Sequence, residues 1–135
     1  MKTMIECRNE EFLRRCAAIF EREYKSGKVL PIDKIIDQVL AMQPRSHYLT
    51  YDTAARRLHK IHRLGIENVV KEDIARDMWR ELQTQIDEYL AQYPKRSFHK
   101  ALSFVLNYRR PSRFYISRDS ARRIIAPNIV QCLFI

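Results

Sequence analysis

The stretch PRSHYLTYDTAARRL, Pro44 to Leu58, returns 67 residues later as PSRFYISRDSARRII, Pro111 to Ile125. Five aligned positions are identical, and four others exchange only Leu for Ile or Thr for Ser. In each copy a proline ends the preceding segment, a few residues of extended character follow, and Thr50 or Ser117 is suited to cap a new helix. The repeat therefore predicts two helix beginnings of similar construction.

Two interpretations of the repeat differ in their consequence for function. In the first, the copies are convergent helix N-termini, which any helical protein contains. In the second, they form a helix-turn-helix-like pair that presents arginines to a duplex, although the connection from Met42 to Thr50 is longer than the three or four residues of a strict turn. The extended pieces around 47–49 and 114–116 are β-prone, and a minimal two-stranded ribbon between them is a further alternative.

The spacing of apolar residues elsewhere predicts helices and few turns. The chain has 135 residues, of which 46% are hydrophobic and only two are glycine. Apolar residues recur at helical intervals, with Phe98 among those expected to face inward. The predicted helices cover residues 9–25, 32–42, 50–64, 71–93 and 97–108, with a short sixth after Ser117. We expect an all-α fold in which residues 1–135 form a single compact domain of five or six helices.

The charge is strongly positive and unevenly distributed. The formal net charge is +9, with 25 Lys and Arg against 16 Asp and Glu. Residues 66–92 carry an excess of four acids, whereas residues 93–135 hold nine basic residues and one acid. Such asymmetry indicates that one region of the protein faces a polyanion.

The candidate nucleic-acid-binding residues are the cations that flank the two copies. Arginine predominates among them, and its planar guanidinium suits phosphate or guanine contacts as well as carboxylates of the protein itself. The candidates are Arg45, Arg56, Arg57, Lys60, Arg63, Arg109, Arg110, Arg113, Arg118, Arg122 and Arg123. We predict that the two groups merge into one exposed positive platform. Of the aromatic residues beside them, Phe114 is expected in the core.

No motif in the sequence indicates catalysis. With two glycines the chain has no glycine-rich phosphate cradle, and no known nucleophile or zinc-protease signature occurs. His59 and His62 lie three apart on a predicted helix, but they lack an evident third ligand and stand beside cations that repel a metal. We expect no enzymatic activity, no metal and no cofactor.

Location and assembly follow from the ends of the chain and from its cysteines. The N-terminal residues lack the apolar run of a signal peptide, and no segment has the roughly 18 apolar residues of a membrane span. Three widely spaced cysteines do not suggest a disulfide framework. The sequence predicts a cytoplasmic protein with no membrane contact, whose apolar tail, residues 129–135, packs back on the core or joins two copies as a homo-oligomer.

The sequence thus favours a small basic nucleic-acid-associated accessory or regulatory protein that binds phosphates through both repeated elements. The alternative is a protein–protein interaction module without nucleic-acid binding, whose basic surface docks an acidic partner or another copy.

Overall fold

The computed structural model of the protein describes residues 1–128, and within this range the prediction of an all-α fold is confirmed. The helices are α1 (Met4–Lys25), α2 (Ile32–Leu40), α3 (Tyr51–Leu64), α4 (Ile66–Val69), α5 (Asp73–Gln92), α6 (Phe98–Tyr108) and α7 (Arg118–Ile125). A 3-10 turn, Ala126–Asn128, follows α7. No helix in the described range is long and apolar enough to cross a membrane.

Apart from shifts of one or two residues at their ends, the helices differ from the predicted ones at two places. Helix α1 begins at Met4 rather than residue 9, because Thr3 and Glu6 form a capping box in which each side chain accepts from the other's backbone N–H. The single turn α4 is not among the predicted helices, so the described chain has seven helices rather than five or six. This turn follows Gly65, whose φ of 86° ends α3 in a conformation that favours glycine.

The chain forms two compact units. The first contains Met1–Pro44 and the chain from Ser112 onward, and the second contains Arg45–Pro111. Both crossings between units coincide with the start of a copy of the repeated sequence, at the buried prolines Pro44 and Pro111. The single-domain organisation of residues 1–135 and the duplication itself stay predictions. The proposed packing of the tail, residues 129–135, lies outside the described residues.

In the first unit, α1 packs against α2 and α7. Phe12 and Phe114 are buried and meet edge to face, with ring centroids 5.9 Å apart. The core also contains Cys16, Ile19, Ile35, Ile36, Val39, Ile116, Ala121 and Ile125. Phe114 thus lies in the core, as predicted, and the extended segment before α7 is fixed by its side chain.

In the second unit, α6 packs against both α3 and α5. Its core contains Ala54, Leu58, Val70, Trp79, Leu82, Ile86, Tyr89, Ala101, Leu102 and Val105. Ala54 and Leu58 are fully buried one helical turn apart, which directs one face of α3 inward. The opposite face of α3 therefore points to solvent.

A buried polar link joins the two ends of the second unit. The amide of Gln85 on α5 donates to the carbonyl of Arg110, so its oxygen faces Nε2 of His47 at 2.7 Å. Because an amide oxygen only accepts hydrogen bonds, His47 carries its proton on Nε2. Gln85 thereby holds the residues at which the chain enters and leaves this unit.

Both copies of the repeat begin their helices as the sequence predicted. Thr50 accepts from the backbone N–H of Thr53, and Ser117 accepts from that of Ser120. The proposed β ribbon is absent, since neither 47–49 nor 114–116 forms a strand in the described chain. Two local features oppose it: Tyr48 has a φ of 54°, outside the β region, and the N–H of Phe114 donates to the carbonyl of Leu40.

Candidate nucleic-acid interface

The solvent side of α3 carries a cluster of basic side chains. We call Arg56, Arg57, Lys60 and Arg63 the cationic face of α3; all four are exposed. At 100° per residue, Arg56, Lys60 and Arg63 fall within about 60° of one another, and Arg57 lies further around the helix. Burial of Ala54 and Leu58 on the other side fixes this orientation.

The cationic face has no carboxylate partner. Within residues 1–128, none of its four side chains forms an ion pair, whereas the arginines of α5 lie near acids of their own helix, as Arg76 does with Asp73 and Arg80 with Asp77. In the described chain, no carboxylate at ion-pair distance therefore offsets the positive potential of these four side chains toward solvent.

Two of the three arginines of α7, Arg118 and Arg122, are placed differently. Arg118 donates two hydrogen bonds to Asp37, and Arg122 donates two to Asp33 and one to Asp119. The hydrogen bond from Arg122 holds the pKa of the Asp33 carboxyl below its usual value, and the same contact raises the pKa of Arg122. These arginines contact carboxylates of α2 within their own unit, so they are engaged in packing.

The other candidates are distributed over both units. Arg109 is 3.0 Å from Glu88, and the guanidinium of Arg113 lies 4.6 Å from the centre of the Tyr115 ring. Arg123 is exposed and has no ion pair in the described chain, and Arg45 and Arg110 are exposed at the entry and exit of the second unit. Of the eleven candidates, only those on α3 form a continuous set of unpaired cations along one helix.

A groove lies beside the cationic face, between α3 and α6. It is lined by Tyr51, Ala55, Arg56, His59, His62 and Phe98, and we call it the α3–α6 groove. Its volume is about 640 Å³. Phe98 is 36% exposed, which corrects the prediction that it faces the core: it is the first residue of α6 and lies at the edge of the helix packing.

The aromatic rings of the groove are held by specific contacts. The hydroxyl of Tyr51 is 2.6 Å from Nδ1 of His99, and the two rings meet edge to face. Nε2 of His62 is 2.7 Å from the amide oxygen of Gln83, whose nitrogen donates to Asp87. Hydrogen bonds therefore fix one ring on each side of Ala55.

The side chains around the α3–α6 groove do not form a metal site within the described residues. In the described part of the chain, no group of three or more His, Cys, Asp or Glu side chains is arranged to hold an ion. His62 contacts Gln83 and the ring of Phe98, so its neighbours are an amide and a phenyl ring rather than further ligands.

The sequence indicated the cationic face but not the groove. The sequence presents His59 and His62 only as candidate metal ligands, and it predicts Phe98 in the core. The available signal was the spacing of Tyr51, Ala55 and His59, since residues four apart share a helix face and a small residue between two rings leaves a gap.

Comparison with known proteins adds no functional information. No protein-family model, no curated protein and no solved structure matches the chain.

Proposed function

We propose that the protein binds nucleic acid through the cationic face of α3 and acts as a small accessory or regulatory protein. The observation that supports this is the contrast within the described chain: Arg56, Arg57, Lys60 and Arg63 are exposed without carboxylate partners, whereas Arg118 and Arg122 contact acids of their own unit. A surface with unneutralised cations attracts phosphates, because each contact releases counterions from the nucleic acid. We also propose that the protein acts in the cytoplasm.

The geometry of α3 suits a strand that lies along the helix. From Arg56 to Arg63 the helix rises about 10 Å, so these cations can contact successive phosphates. The N-terminus of α3 is less suitable, because Asp52 lies in its first turn and repels an anion there. We therefore assign phosphate binding to the side of α3 rather than to its end.

Fluorescence anisotropy with labelled random-sequence DNA, in duplex and single-stranded form, tests this proposal. If three or four phosphates are contacted, the affinity should fall by about 20- to 150-fold between about 50 and 200 mM salt. Absence of binding to either form at low salt would exclude the proposal and favour the alternative, a protein–protein interaction module.

A further inference from the structure

The α3–α6 groove is a preformed recess with largely apolar walls. It is a shallow depression, widely open to solvent, with a volume of about 640 Å³. Ala55 provides the small side chain between Tyr51 and His59, and Phe98 on α6 forms the facing wall. The largely apolar lining favours a ligand that presents an apolar surface, such as an aromatic ring.

The charge around the groove identifies the ligand further. Arg56 lines the groove and also belongs to the cationic face of α3, so the two sites adjoin. A ligand that bridges them combines a flat apolar ring with a neighbouring negative charge. A nucleotide within a strand has both features, with its phosphates toward Arg56 and Lys60 and its base toward Phe98.

We propose that this groove stacks an unpaired base, and that the protein therefore prefers single-stranded nucleic acid to duplex. This inference rests on the proposed function, since the cationic face supplies the phosphate contacts. In a duplex the bases are stacked on one another and are not available to a groove on the protein surface. In a single strand each base has a free π-face, and aromatic side chains bind it with little dependence on sequence.

The ordering of the rings favours stacking. Tyr51 is held by His99, and His62 is held by Gln83, so little side-chain freedom is lost when a base binds. Another aromatic cluster of the second unit, formed by the exposed Tyr93, Phe104 and Tyr108 beside the buried Tyr89, is a weaker candidate. The guanidinium of Arg96 already lies 4.0 Å from the centre of the Tyr93 ring and covers part of that surface.

The test compares two single strands that carry the same phosphates. One is an oligothymidylate of about 12 nucleotides, and the other is an abasic strand of equal length. We expect the wild-type protein to bind the thymidylate at least about fivefold more tightly at low salt, as stacking of one base requires. It should also bind the thymidylate more tightly than a duplex of the same length.

The outcomes separate this inference from the proposed function. Equal, salt-sensitive binding of both strands would overturn base stacking and leave phosphate binding by α3 intact, and so would preference for the duplex. No binding of any nucleic acid at about 50 mM salt would overturn both proposals.

Two substitutions in the α3–α6 groove test whether the base binds there. Phe98→Ala removes one wall of the groove and Ala55→Leu fills it, and neither changes the charge. Both should reduce the preference for thymidylate over the abasic strand to less than about twofold. The matched control is Phe104→Ala, because Phe104 lies on the same helix with a similar exposure, 38% against 36% for Phe98. Loss of the preference in the control as well would contradict the assignment to the groove.

Discussion

Arg118 donates two parallel hydrogen bonds to Asp37, from Nε at 3.0 Å and from Nη2 at 2.6 Å. One turn further along α7, Arg122 makes the same kind of contact with Asp33, which lies one turn back on α2. Two arginines of the second repeat copy, Arg118 and Arg122, thus connect α7 to α2. In the first copy the corresponding helix, α3, presents its arginines to solvent.

Replacement of both Arg118 and Arg122 with Ala should destabilise the protein slightly and leave nucleic-acid binding largely intact. Exposed ion pairs contribute little individually, so we expect the Tm to fall by a few degrees at most. Arg123→Ala is the control, since Arg123 lies on the same helix without an ion pair in the described chain. If the double variant and the control have the same thermal unfolding curve, the contacts between α7 and α2 contribute nothing to the stability of the fold.

Removal of the helix caps should cost more than removal of these ion pairs. Thr50→Ala and Ser117→Ala each leave a backbone N–H without its side-chain acceptor, at a cost of about 1 kcal/mol in the free energy of unfolding. Thr50→Asn retains a capping oxygen and should stay close to wild type. Urea unfolding measures the difference, and equal destabilisation by Ala and Asn at position 50 would argue against the cap.

Acidification should weaken the fold through His47. Burial lowers the pKa of His47 below its usual 6.5, so the folded protein holds this side chain neutral while the unfolded chain takes up a proton. This contribution to stability is complete above pH 6.5 and is lost as the pH falls below that value. The urea midpoint of the wild type should therefore decrease between about pH 7.5 and 5.5.

A variant without a titratable group isolates this effect. His47→Gln keeps an N–H that can donate to Gln85, and its midpoint should decrease less over the same pH range. The other histidines are present in both proteins, so their contribution cancels. An equal decrease in both proteins would mean that His47 does not carry the pH dependence.

Local sequence patterns predicted the features that depend on neighbouring residues. The caps at Thr50 and Ser117, the inward face of Leu58 and the exposed cations beside it all follow from helical spacing. The core position of Phe114 was likewise predicted, because apolar residues beside a helix start commonly pack inward.

Contacts between distant parts of the chain were beyond the reach of such patterns. Arg118 and Asp37 are 81 residues apart, so nothing near Arg118 in the sequence distinguishes it from Arg56. The groove arises because Phe98, at the beginning of α6, stands beside a helix that ends 34 residues earlier. The tertiary fold therefore determines which arginines contact carboxylates of the protein and which remain available to bind a ligand.

A comparison of two triple variants with equal loss of charge tests the central claim most directly. One replaces Arg56, Lys60 and Arg63 with Ala, and the other replaces Arg14, Lys28 and Lys34, exposed cations of the first unit without ion pairs in the described chain. For single-stranded DNA at about 50 mM salt, we expect the α3 variant to lose at least about tenfold in affinity, with a salt slope smaller by about two. The control should stay within about threefold of wild type, whereas equal losses in both variants would show that binding follows net charge and not the cationic face of α3.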